Sequence, residues 1–366
     1  MRYSHPTDTI TPRQLVALGV VGLLSPLVRR FPQALAAAGR NGWLAAPLAA
    51  LPLLPWPLLY RALLRRRGGE TAKPADLRAA LRSGLGPVLF YLYPIWMICY
   101  AGFLLRAGAV RLLSTVYPAA GPAVFVLGMA LLCALAASGS LRALARSAML
   151  LRPLLLAVIG LVLALSADSL DPGLLFPVTG TGILEAAPAA AELANALGAA
   201  FPLAFLCAKS DALPSNWQLF GWGGALLGLC LAAAVCCFAM FGPALTARMH
   251  YPFFMLARDV TVLGAVERVE PLVAALWIAS DFTMIGVLLW MSARLILPKG
   301  LDAPKAQTRR SAPAAALAAA VIALLLPGEL SVWNALSERI VPLCSAIFSL
   351  LLPVLALLKN SVNSEK

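Results

Sequence analysis

An aspartate in the middle of an apolar run of helix length dominates the possible chemistry of this sequence. Asp281 stands in Trp277-Ile278-Ala279-Ser280-Asp281-Phe282-Thr283, within the run 271–296. A carboxyl group there is costly to place unless it faces the interior of a helix bundle or a wet cavity. It could bind a ligand's ammonium group or exchange a proton. The plainer alternative is a protonated or arginine-paired structural carboxylate. Ser280 and Thr283 lie within a turn of it and could add hydroxyl ligands. Alone they would be ordinary helix-contact residues.

A second group sits in the first apolar run, where Gly22, Ser25 and Pro26 are followed by Arg29-Arg30 and Phe31-Pro32. Proline removes a backbone donor, so this stretch is expected to unwind and expose peptide groups. Such groups could hold a carboxylate at a half-helix amino terminus. Arg29-Arg30 would then flank the outer entrance, or would reach to the membrane interface as long cationic side chains commonly do. A matching interruption is expected in the run 190–208, at Gly198 and Phe201-Pro202, with Phe201 and Phe205 forming an apolar pocket wall. In the third run, Tyr91, Tyr93 and Trp96 are expected in an interfacial aromatic belt. Tyr100 lies deeper and is a candidate pocket wall. Plain packing is the competing reading for each of these aromatic residues.

Other chemistries find no support. The seven cysteines (Cys99, Cys133, Cys207, Cys230, Cys236, Cys237 and Cys344) lie almost entirely in apolar runs without metal-ligand spacing, and the only histidines are His5 and His250. Small buried hydrophobes is the expected role for these thiols. No H-E-x-x-H, Walker or G-x-S-x-G pattern is present, so no enzyme, metal or cofactor is expected.

The elements that must position these residues follow from composition. Of 366 residues, 61% are hydrophobic and 12% charged, with a mean hydropathy of +0.85. Soluble domains carry about 25% charged residues, and disordered chains more. The class is therefore an all-α integral membrane protein forming one polytopic domain over 1–366. A span needs about 20 apolar residues. Ten are expected, at 13–37, 43–60, 85–110, 119–137, 149–167, 190–208, 218–241, 271–296, 312–328 and 340–358. With both termini cytoplasmic, the inner segments hold 20 of the 29 Lys and Arg residues and the outer segments nine. This bias fits the rule that cytoplasmic loops are basic, and it accounts for the net charge of +13 without nucleic acid as a partner. If the chain is two five-span halves (about 13–167 and 190–358), the interrupted spans one and six occupy equivalent places. Paired interruptions are a pointer to a transporter-type site. Prolines spread over most spans keep simple tolerance of proline as the alternative.

Several stretches resemble the spore germination permeases, the B subunits of nutrient germinant receptors. They are Ile10-Thr11-Pro12-Arg13-Gln14-Leu15, Ala38-Gly39-Arg40-Asn41-Gly42-Trp43-Leu44, Ala200-Phe201-Pro202-Leu203, Tyr251-Pro252, Ala257-Arg258-Asp259-Val260, Glu267-Arg268-Val269-Glu270 and Trp277. The resemblance implies the amino acid–polyamine–organocation fold, with inverted five-span repeats and broken helices one and six. It also implies a germinant-sensing role beside A and C subunits in the inner membrane of a bacterial spore, with an amino acid-like nutrient as ligand. Two positions depart from the family pattern. The usually apolar stretch after Pro26 carries Arg29-Arg30, and the eighth span, which often bears a lysine near its middle, bears Asp281. A proton-coupled solute transporter of the same fold is the alternative reading, and a membrane scaffold with a vestigial pocket is a third.

Overall fold

Thr11 starts the first helix for a reason visible in its neighbours. Its hydroxyl accepts from the Gln14 amide at 3.3 Å while its own amide donates to Gln14 Oε1 at 2.9 Å. Pro12 occupies the first helical position, where no N–H is needed. In this computed structural model, residues 8–51, 86–176, 184–185, 187–199, 206, 209–212, 214–259, 269–297, 299–327 and 336–348 are described. Helix α1 runs Pro12–Ala36. It is followed by α2 Gly42–Ala50, α3 Gly86–Thr115, α4 Pro122–Ser138, α5 Leu141–Ser166 and α6 Ala187–Ala199. Next come α7 Asn216–Phe241, the short α8 Pro243–Arg248 and α9 Pro252–Asp259. The chain continues through α10 Glu270–Leu295, α11 Lys305–Leu325 and α12 Val341–Ala346.

Among the described residues, six helices are long and apolar enough to cross a membrane: α1, α3, α5, α7, α10 and α11. Helix α4, at 17 residues, reaches about 26 Å at 1.5 Å per residue. It presents Val124, Leu127, Leu131, Leu132 and Leu135 outward, as a lipid-facing helix would. The expected spans at 43–60, 190–208 and 340–358 run into residues outside the described ones.

The core lies where α1 and α10 meet. In the most apolar stretch of each, 72% of residues are buried, against 22% in α5. Helices α3, α5, α6 and α7 surround this pair, and α11 packs on α3 and α4. At the turn after α1, Gly39 adopts φ 69°, a conformation that suits glycine. A Cβ on Gly42 would lie 2.0 Å from the Leu35 carbonyl oxygen. Two glycines of the Ala38–Leu44 motif thus have direct steric causes.

The end of the bundle at which α1 starts is closed by main-chain contacts. The Asp8 carboxylate accepts from the first amides of α5, Leu141 at 3.0 Å and Arg142 at 3.3 Å. Ile10 bridges Ser210, with its amide 2.9 Å from the Lys209 carbonyl and its carbonyl accepting from Asp211 at 3.0 Å. Lys209 pairs with Asp302. Arg142 reaches back to the Thr9 carbonyl at 3.2 Å. Arg142, Arg146 and Arg152 therefore belong to helix α5, which begins eight residues before the expected 149. The Ser140 cap, accepting from Ala143 at 3.2 Å, fixes the earlier start.

The first span differs from expectation in kind. Helix α1 is helical throughout Pro12–Ala36, with Pro26 and Pro32 inside it. No unwound stretch exists at Gly22–Pro26. The disturbance is confined to one turn, where a side chain from α10 enters the ladder.

Candidate functional site

Three neighbouring residues of α10 point to three different partners. Ser280 faces α1. Its hydroxyl donates to the Val21 carbonyl at 2.5 Å and accepts from the Ser25 amide at 3.2 Å. Val21 and Ser25 are the two groups that would bond each other across one α-helical turn, so the Ser280 hydroxyl is inserted between them. Such insertion is a recognised cause of helix bending. Pro26, the next residue, brings no N–H to the carbonyl of Gly22. Gly22 packs on the same neighbour, and a Cβ there would lie 2.9 Å from the Met284 methyl.

Asp281 faces α3, and its Oδ2 pairs with Arg111 Nη2. Both are buried, Arg111 to 1% exposure and Asp281 to 7%. The pair sits about 16 Å along α10 from Glu270, close to the middle of that helix, at 1.5 Å per residue. Gly108, one turn before Arg111, leaves room for it, since a Cβ would approach Asp281 Oδ2 to 3.3 Å. Thr283 turns inward on its own helix, donating to the Ala279 carbonyl at 2.9 Å. The Asp281, Ser280 and Thr283 side chains therefore do not converge on one ligand position. The Ser280 and Thr283 hydroxyls are occupied by backbone.

An aromatic floor lies beneath the pair. The Arg111 guanidinium carbon stands 5.1 Å from the centre of the Trp277 ring, within cation–π range. Trp277 in turn stacks on Phe254 of α9 at 5.3 Å and meets Tyr251 at 5.5 Å. Helix α1 adds Arg29, half-buried and within electrostatic reach of Arg111, Asp281 and Tyr251. Its neighbour Arg30 pairs with Glu192 of α6 at 3.3 Å. Arg29 and Arg30 thus turn toward the bundle's own charges, in place of a plain reach to the interface. A cavity of about 340 Å3 opens at the end of α3 and the start of α10, lined by Thr115, Val116, Tyr117, Glu270 and Pro271. Thr115 donates to the Arg111 carbonyl at 2.8 Å, so one lining residue of the cavity stands one turn along α3 from Arg111.

Several donors here have no hydrogen-bond partner: Arg111 Nε and Nη1 and Trp277 Nε1 in the cluster, and the Ser25 hydroxyl on the facing α1. Buried groups of this kind are normally satisfied, and leaving one unmade costs about 1–3 kcal/mol.

The other expected site residues are spread out. Tyr100 is buried in α3, 5.6 Å from Trp96 and 6.2 Å from Phe103 in a ring stack. It lies within electrostatic reach of Arg29 and Asp281. Tyr93 is not part of a belt. It is 1% exposed, with its hydroxyl donating to the Phe348 carbonyl at 2.9 Å. Tyr91 is 56% exposed, as a belt residue would be. Phe201 and Phe205 lie outside the described residues, as do Glu267 and Arg268. Glu270, the first residue of α10, is buried at 7% exposure and lines the cavity.

Arg111, Gly108, Tyr251 and Phe254 were not among the expected site residues, whereas Arg29 was expected at the outer entrance. Arg111 falls one residue beyond the expected span end at 110, which placed its charge in a loop. The apolar residues Leu112 and Leu113 that follow it are the signal that the helix continues.

Comparison with known proteins agrees with this architecture. Residues 9–324 match the family described as spore germination protein. No match to a curated protein is found. Among solved structures, a Na+-coupled sialic acid symporter in its substrate-bound outward-open state is similar at a TM-score of 0.55 and 15% identity. That likeness covers 93% of this chain and 78% of the symporter. It concerns the fold.

Proposed function

We propose a function from one premise: the chain belongs to the spore germination permease family, an integral membrane protein with a transporter-like helical fold. It acts as the membrane subunit of a germinant receptor. A small nutrient, amino acid-like in size and polarity, binds within the bundle at the crossing of α1, α3 and α10. Binding biases the bundle between two states, and neighbouring A and C subunits in the spore inner membrane read the change. Both termini face the cytoplasm in this arrangement, and the cavity at Thr115 and Glu270 is the outer approach.

The observation that carries the reading is the Arg111–Asp281 pair, buried near the middle of α10. Intramembrane charges are expensive, and those that persist mark substrate or ion pathways, proton relays or counter-ions. A ligand shifts a conformational equilibrium only by its difference in affinity for the two states. A buried ion pair that a ligand must displace or extend supplies such a difference. Gly22, Ser25 and Pro26 contribute the turn of α1 that Ser280 enters, and Tyr100 a wall. Phe201 and Phe205 remain the proposed apolar side.

A second reading is solute transport, which the symporter-like fold favours. The two differ in output. A deletion strain is compared with its parent for nutrient-triggered germination, and proteoliposomes are tested for uptake of the same nutrient. Loss of germination without uptake is the expected result. Robust uptake with normal germination of the deletion strain would replace the receptor by a transporter.

A further inference from the structure

The unused polar groups around Arg111 have one thing in common. Arg111 Nε, Arg111 Nη1 and Trp277 Nε1 are donors only, and on the facing α1 the Ser25 hydroxyl, whose backbone amide reaches Ser280, can also donate. What such a set lacks is an acceptor. Charge gives the same answer independently: Arg111 and Arg29 bring two positive charges within reach of Asp281, which brings one negative. Arg30 is compensated separately by Glu192. Water could satisfy the donors but would leave the surplus positive charge uncompensated in a low-dielectric interior. A small anion satisfies both.

We infer that the Arg111–Trp277 corner, with Ser25 and Arg29 one turn apart on α1, is a carboxylate-binding site. The ligand's carboxylate accepts from the Arg111 nitrogens that Asp281 leaves free, and Asp281 remains the counter-ion that limits its affinity. The inference rests on the receptor reading for its biological setting, and it names the ligand class for that site. It reverses the expectation that Asp281 itself receives a ligand's ammonium group. It also moves the carboxylate from the unwound backbone expected in α1 to a side chain of α3.

The reversal makes the sign of one substitution decisive. Asp281→Asn removes the anion that competes for Arg111, so a bound carboxylate becomes its only charged partner. If Asp281 held an ammonium group, the same substitution would weaken binding.

The test uses the purified full-length protein in detergent and a panel of 2-amino, 2-hydroxy and 2-oxo acids beside their carboxamides. Binding is read by thermal shift and by titration. At least one acid should raise the melting temperature while its carboxamide does not. For that acid, Asp281→Asn should tighten binding by about threefold or more. The charge-balanced double variant Arg111→Gln/Asp281→Asn should weaken it by about 30-fold or more, and its monodisperse elution serves as the folding control. The inference is overturned if carboxamides bind as well as acids, if no acid binds, if Asp281→Asn weakens binding, or if the double variant binds as the parent does. Its failure is separable from that of the receptor reading. A deletion strain that still responds normally to nutrients removes the receptor while leaving carboxylate binding in place. Germination triggered through this chain by a neutral solute alone removes the carboxylate and leaves the receptor.

Discussion

Two buried arginines in this bundle are held in opposite ways. Arg294, at the end of α10 and 2% exposed, donates to the carbonyls of Ala137 and Trp290 at 3.3 and 3.1 Å through Nη1. Through Nη2 it donates to Gly139 at 3.3 Å. Ala137 and Gly139 end α4, so the guanidinium sits at the negative end of that helix dipole. It also stacks 3.7 Å over Trp290. Arg111 has one carboxylate and two nitrogens without a partner. Arg294 is a fastener whose donors are met by backbone that does not leave. Arg111 is held by one carboxylate and one indole face and retains two nitrogens without a hydrogen-bond partner. The difference separates a guanidinium whose hydrogen bonds close one end of the bundle from one that keeps unmet donors.

The largest effect that would break this contrast is expected from Arg111→Gln alone. It strands Asp281 as an uncompensated buried charge, at a cost of about 3–5 kcal/mol. The variant should accumulate poorly in membranes, measured by immunoblot, and abundance should return when Asp281→Asn is added. Recovery of nutrient response along with abundance would make Arg111 as structural as Arg294. The next effect is expected from Arg294→Gln, which removes charged hydrogen bonds worth about 2–3 kcal/mol. Melting temperature should fall while carboxylate affinity stays within about twofold. A comparable loss of affinity would erase the distinction between the two arginines.

Asp8→Ala tests the same closed end more gently. It removes an anion from the first amides of α5, an interaction of about 1 kcal/mol. Amide exchange at Leu141 and Arg142 should accelerate, with exchange around Arg111 unchanged. The smallest change is expected from Ser280→Ala. Val21 and Ser25 are then free to bond each other, so stability should move by less than about 1 kcal/mol. Exchange at the Ser25 amide should slow relative to the parent, and an acceleration would mean that the turn cannot close without the hydroxyl.

Much of the frame was legible from residue order. The expected runs 13–37, 218–241 and 271–296 correspond to α1, α7 and α10 within two residues, because long apolar runs bounded by polar caps leave little freedom. Asp281 stood out because a lone acid in such a run has few explanations, and an arginine partner was among those considered. The identity of that partner was hidden by a boundary. Ending the third span at 110 put Arg111 in solvent, although Leu112 and Leu113 continue the run. A disturbance of α1 was expected at Gly22, Ser25 and Pro26 as unwinding, whereas the helix runs through and receives the Ser280 hydroxyl there. What decides its form is Ser280, 255 residues away from Ser25, and no local pattern carries a contact of that separation. The closed end was illegible for the same reason. Asp8 meets Leu141 and Ile10 meets Ser210 only after folding brings them together.

The hydroxyl lodged in α1 has a mechanical corollary. The stiffness of that rod at the turn from Val21 to Ser25 depends on a neighbour, so a slide of α10 carries away one rung. The vacated rung must be closed by the rod itself or filled by another polar visitor. Flexing of the first helix and displacement of the tenth are thereby one coordinate, with the aspartate next to that serine travelling along it.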